Sequence, residues 1–148
     1  LRRYSLGGGN LMVSGAYCAS DPYNNQDSTG KAFVEEVLQV KPVHSDERKF
    51  GQVRLESSAA TGLKLQGQIG YAIYPNDRIY FAEEADILMP AGATARAVGW
   101  YNGSENAAIV ISQPAGTTVV MGFPFEVITD ENQRNKLMQR ILNFMFKK

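Results

Sequence analysis

A chain of 148 residues with 44% apolar content can build one ordinary core, is too short for two comfortable domains, and is not disordered by composition. Lysine plus arginine and aspartate plus glutamate both number 15, so the net charge is zero and no basic field recruits nucleic acid or anionic lipid. No run approaches the roughly 18–20 apolar residues needed to cross a bilayer. One cysteine, Cys18, excludes an internal disulfide, and with the single histidine, His44, it cannot make a zinc site.

In chain order, "LRRYSLGGGN" reads as the tail of a helix stopped by glycines. The first residue is Leu1 rather than an initiator methionine, and no signal peptide is visible, so any targeting signal is expected upstream. The expectation is a single α/β domain over 1–148 that forms the C-terminal part of a larger domain or protein, truncated at its N-terminus. "LMVSGAY" (11–17) is a short continuous apolar run of the kind a buried parallel strand shows. "CASDPYNNQDSTG" (18–30) reads as a long polar loop. "KAFVEEVLQV" (31–40) places Phe33, Val34, Val37 and Leu38 at helical spacing, with Ser28 or Thr29 as its cap and Pro42 as its stop.

The middle third alternates more weakly. "GQVRLE" (51–56), "LKLQGQIGYAIY" (63–74) and "DRIYFA" (77–82) read as short antiparallel strands, and "ADILMPAGA" (85–93) as a strand end or a loop. "ARAVGWY" (95–101) is a strand bounded by the turn dipeptide Asn102-Gly103. "AAIVIS" (107–112) and "TTVVMGF" (117–123) flank Gln113-Pro114-Ala115-Gly116, a type I turn signal, and predict a hairpin. From Thr129 or Asp130 a helix runs to the end. Its apolar stripe is Leu137, Ile141, Phe144 and Met145, with Lys147 and Lys148 complementing the C-terminal dipole. The fold class is α/β, a sheet flanked by helices with an antiparallel hairpin before the C-terminal helix.

Several residues could carry chemistry or binding. Asp21, Tyr17 and Tyr23 follow the first strand, and ligands of open α/β sheets gather beyond strand carboxyl ends. Trp100 and Tyr101, beside a polar turn, are the aromatic pair that would stack on a sugar ring, although a tryptophan in a strand is commonly core. His44 lies in the polar stretch "PVHSDERK" and reads as a surface imidazole. The glycines of "GGGN" precede a strand, not a helix, so they are no phosphate cradle. No motif calls for a cofactor.

Two stretches line up with a known family. "MVSGA" (12–16) resembles the strand and nucleophile turn of class I glutamine amidotransferase-like domains, and "GFPFE" (122–126) resembles their late Phe-His-Pro-Glu motif. With "GGGNLMVSGAY" and "VVMGFPFEVITDENQRNKLMQRILNF", the chain also looks like the amidotransferase-like domains of large secreted bacterial proteins, some described as xanthan-lyase-like. The resemblance implies a flavodoxin-like sheet and an extracytoplasmic setting. It puts Ser14 at the nucleophile, Pro124 at the catalytic histidine and Glu126 at its orienting acid. Proline cannot take a proton, and losing the base alone costs several orders of magnitude in rate. The expectation is therefore a non-catalytic accessory domain, structural, interacting or ligand-holding, in a larger polysaccharide-related protein whose remaining polypeptide is its first partner. Two rivals stand beside it. One is a hydrolase or lyase using Ser14 or Cys18 with Glu126, and the other is a carbohydrate-binding module using Trp100, Tyr101 and the tyrosines near Asp21.

Overall fold

The computed structural model describes residues 1–45, 48–59, 62–76 and 80–147. Helix α1, Arg2–Leu6, stops at Gly7, and Gly8 takes φ +95, a left-handed conformation natural to glycine that reverses the chain into β1. Strand β1, Leu11–Ser14, pairs in parallel with β8, Thr118–Met121, from Leu11 opposite Thr118 to Ser14 opposite Met121. Asn10 pins the start of this ladder. Its Oδ1 accepts from the Thr117 amide at 2.9 Å, and its Nδ2 donates to the Met145 carbonyl at 2.7 Å.

The stretch 18–30 is not one loop. Helix α2, Ser20–Asn24, carries Asp-Pro in its first turn, where a proline lacking its N–H costs the helix nothing. Helix α3, Ser28–Phe33, begins earlier than its apolar spacing suggests, because Asp27, rather than Ser28 or Thr29, supplies the cap by accepting from the Thr29 amide at 2.9 Å. It runs into a π-helical turn, Val34–Leu38, that buries Val34, Val37 and Leu38. The helix ends at Gln39, whose left-handed φ of 54 turns the chain, and not at Pro42. Pro42 lies inside β2, Val40–Val43, which pairs antiparallel with β5, Ile87–Pro90, in a separate two-stranded sheet. In so small a sheet a proline interrupts little pairing.

Strands β3, Gln52–Leu55, and β4, Gly67–Gly70, extend the main sheet beside β6, Arg96–Tyr101, and β7, Ala107–Ser112. Among the described residues the order is β1-β8-β7-β6-β3-β4, with every pairing antiparallel except β1–β8. The alternating stretch 63–74 contributes only the short β4. Its Leu63, Leu65, Ile69 and Tyr71 are nevertheless buried, so the pattern marks core contact rather than a long ladder. Of the strand expected over 77–82, residues 77–79 lie outside the described residues, and 80–82 are not strand.

The predicted hairpin is β7–β8. Both strands are buried throughout because apolar side chains cover both faces. On one face, Ile109 and Ile111 pack with Leu137, Ile141 and Met145 of α4, Glu131–Met145. On the other, Val110 and Val120 pack with Val34, Val37 and Leu38. Asp130 caps α4 by accepting from the Gln133 amide at 2.9 Å. Lys147 falls beyond the last helical turn, which carries no basic residue, and Lys148 lies outside the described residues. The architecture is mixed α/β, with helices on both faces of the sheet.

Candidate functional site

The fold brings the two family-like motifs together. Ser14 closes β1, and its Oγ accepts a hydrogen bond from the Phe125 amide at 3.3 Å. Pro124 is buried in the adjoining extended segment. Glu126 sits exposed on a 3-10 turn, Phe125–Val127, and its carboxylate has no partner among the described residues. Ser14 therefore meets a main-chain donor where a catalytic serine needs a proton acceptor.

Cys18 is no better placed for nucleophilic attack. Its Sγ donates to the Met121 carbonyl at 3.3 Å, and burial, reinforced by the charge of Asp86, pushes the thiol up to about 12. A thiol held neutral is not a nucleophile. Ellman's reagent at pH 8 should leave Cys18 unmodified in the native protein and titrate it once urea is added. The same shift carries a linkage effect. The folded thiol keeps its proton to about 12, whereas its ordinary value is 9.0, so between those values the unfolded state releases a proton that the folded state holds. Stability contributed this way falls as pH rises through that window. Burial raises Tyr71, to about 12, and Tyr101 in the same direction. Cys18→Ala should shallow the alkaline loss of stability seen by thermal melts.

A polar centre forms around a residue that the motifs do not mark. Asp86, 2% exposed, directly precedes β5. Its Oδ2 accepts from the Ala19 and Ser20 amides at 2.9 and 3.0 Å, which caps the start of α2, and its Oδ1 accepts from Arg48 Nη2 at 3.0 Å. Its amide donates to the Gly122 carbonyl at 2.6 Å, and its carbonyl accepts from the Tyr101 hydroxyl at 2.8 Å. Arg48 also donates to the Ala85 carbonyl at 2.9 Å, to Glu84 at 3.1 Å and to the Ala16 carbonyl at 3.4 Å, and its guanidinium lies 5.0 Å from the centroid of the Tyr17 ring. The Tyr17 hydroxyl donates to Glu84 at 2.9 Å, and this bond, ahead of burial, raises the phenol above its ordinary value.

Above this centre opens a cleft of about 240 Å³. Tyr17 and the α2 residues Ser20, Asp21 and Asn24 line one side, the end of β2 through His44 lines another, and Arg48 and Asp86 complete it. Of the residues singled out in the sequence, Tyr17 and Asp21 thus share a cleft, with the unexpected company of His44. Ser14, Cys18 and Glu126 are not among its lining residues. Tyr23 packs instead against the core beneath α3, with Lys31 Nζ 5.3 Å from its ring centroid.

The aromatic pair separates. Tyr101 is 1% exposed and stacks on Phe50 with centroids 4.1 Å apart, so it has no face open to a sugar. Trp100, partly exposed, carries the Arg54 guanidinium 5.6 Å from its ring centroid. A strand sends successive side chains to opposite faces, which is why the pair cannot form one platform.

Ser20, Asn24, Arg48, Glu84 and Asp86 were missed by motif reading. The available signal was Asp86 itself, an acid abutting the apolar run "ILMP", since a carboxylate entering a buried strand needs partners.

The mixed α/β architecture has likenesses among solved structures. No protein-family model matches the chain, and no curated protein does. Among solved structures, it is similar to a cytoplasmic protein from Salmonella typhimurium LT2, with a TM-score of 0.55 and 14% identity, covering 95% of this chain and 54% of that one. At that identity the likeness concerns the fold alone. The chain spans little more than half the length of that neighbour.

Proposed function

We propose that this chain is a non-catalytic, ligand-holding accessory domain of the flavodoxin-like, amidotransferase-like kind, descended from an enzyme whose catalytic set has been replaced. The observation that carries the reading is the Ser14 hydroxyl bound to the Phe125 amide at 3.3 Å, beside a buried proline at the position that matches the family's histidine. An acyl-transfer site needs a base within hydrogen-bond reach of its nucleophile, and here that reach ends on an N–H. Cys18 offers no substitute, being protonated and bound to a carbonyl. The family resemblance of "MVSGA" and "GFPFE" supports the ancestry. It is also the whole basis for a secreted, polysaccharide-related setting and for the rest of a longer polypeptide as partner.

The test is a screen of glutamine, ester and glycan substrates with the purified chain. The expected result is release of product no faster than in a buffer blank, with Ser14→Ala and Cys18→Ala indistinguishable from the parent. Saturable turnover abolished by either substitution overturns the reading in favour of a hydrolase or lyase.

A further inference from the structure

A second cavity opens where the chain leaves β4 and α4 begins. Tyr71 bridges Ile128, the Ala72 amide donates to the Val127 carbonyl at 2.9 Å, and the Thr129 amide donates to the Gly70 carbonyl at 3.0 Å. These bonds tie the segment after β4 to the approach to α4, so the two walls are fixed to each other. Between them lies a pocket of about 590 Å³, within the roughly 300–1,000 Å³ of small-molecule sites. Tyr71, Ile73, Tyr74 and Pro75 give it a largely apolar wall, and Tyr74 is left 67% exposed. An apolar ligand body that displaces water from this wall gains free energy.

Two charged side chains of α4, Glu131 and Arg134, line the same pocket. Spaced i and i+3, they are neighbours on the helix surface, with Cβ atoms about 5–6 Å apart. No ion pair joins them. Arg134 donates through Nη1 to the Ile128 carbonyl at 3.1 Å and has no other partner among the described residues, and the Glu131 carboxylate has none there. A guanidinium carries its donors in a planar fork, so most of this one stays free for a carboxylate. An ionised carboxylate accepts only, which suits an ammonium. An anion alone would gain Arg134 but meet repulsion from Glu131, and a cation alone would meet the reverse. A ligand bearing both charges close together satisfies both residues.

We propose that this pocket binds a free amino acid with a large apolar side chain. Its carboxylate meets Arg134, its ammonium meets Glu131, and its side chain lies along the Tyr71, Ile73, Tyr74 and Pro75 wall. The inference rests on the ligand-holding part of the reading above and gives it a ligand class, at a site apart from the Asp86 cleft.

Phenylalanine and two analogues that each lack one charge, 3-phenylpropionate and 2-phenylethylamine, test it by titration into the ¹⁵N-labelled chain. Phenylalanine should give saturable amide shifts confined to residues 70–76 and 127–134. Each analogue should bind at least about tenfold more weakly, because a hydrogen bond to a charged group is worth at least that factor. Alanine, which keeps both charges but lacks the ring, should give no saturable response. Glu131→Gln should weaken phenylalanine about tenfold while leaving 3-phenylpropionate no weaker than in the parent. Arg134→Gln should also weaken phenylalanine while sparing 2-phenylethylamine. That variant gives up the bond to the Ile128 carbonyl, so the exposed and unpartnered Glu131 carries the decision. Equal affinity for phenylalanine and both analogues, an unchanged phenylalanine affinity in Glu131→Gln, or no response in residues 70–76 and 127–134 overturns the proposal. Chemical conversion of phenylalanine during the titration would overturn the non-catalytic reading instead and leave the ligand class standing.

Discussion

Replacing Asp86 by alanine should lower the unfolding free energy by about 3–5 kcal/mol, the cost of removing one partner from a buried ion pair. The loss has three sources. The Ala19 and Ser20 amides lose their acceptor and leave the start of α2 uncapped. Arg48, with only 18% of its side chain exposed, keeps Glu84 but loses its most buried partner. The side chain also leaves a void where the turn after β1 meets the approach to β5. Urea unfolding should show a lower midpoint with an unchanged slope. Asp86→Asn should fall between the parent and Asp86→Ala, because the amide keeps the shape but presents an N–H to a donor. A loss below about 1 kcal/mol in Asp86→Ala would mean that water replaces the carboxylate and that the centre is a surface network. The magnitude matters for the cleft, because this carboxylate fixes the helix that lines it with Ser20, Asp21 and Asn24.

The sequence makes visible those parts of the fold whose information is local. β1, the β7–β8 hairpin and α4 each announce themselves through periodicity or turn chemistry within a few residues, and each stands where its pattern places it. The end of α3 is different. Pro42 is the obvious stop signal, yet the helix is turned by Gln39 in a conformation no residue preference suggests, and the proline is absorbed into β2. The cleft is less legible still, because it joins segments near residues 17–24, 42–48 and 84–86 that only the fold brings together. Within the sequence, Arg48 hides in "SDERK" and Asp86 in "EEAD", both of which read as solvated charge runs. The opposite error attends Tyr101. Next to a polar turn it looks like a binding aromatic, but its hydroxyl is a structural donor to the Asp86 carbonyl. The stretches "MVSGA" and "GFPFE" do lie side by side, at the ends of β1 and β8, but Ser14, Cys18 and Glu126 are not among the residues that line the cleft.

Gly122, the first residue of "GFPFE", should tolerate no side chain. A Cβ there would stand 2.0 Å from the Asp86 carbonyl oxygen and 2.7 Å from the Tyr101 hydroxyl. Neither neighbour is free to withdraw. The Gly122 carbonyl accepts the Asp86 amide at 2.6 Å, its own amide donates to the Ala108 carbonyl at 2.9 Å, and Tyr101 is held between Phe50 and Asp86. Gly122→Ala should therefore cost about 3 kcal/mol, the upper end of overpacking penalties, and lower the melting temperature on the order of 10 °C. Gly15→Ala is the control, since a Cβ there meets Cys18 Cβ at 3.4 Å and Cys18 N at 3.9 Å, ordinary van der Waals contacts, and should leave the melt nearly unchanged. Combining Gly122→Ala with Asp86→Ala distinguishes a general packing defect from strain on one shared contact. Because both substitutions act on the segment that carries Asp86 past the end of β8, the double variant should lose clearly less than the sum of the single losses. Strict additivity would show that the glycine and the aspartate serve separate parts of the fold. The expected shortfall would instead make Gly122 the residue that lets Asp86 approach the end of β8.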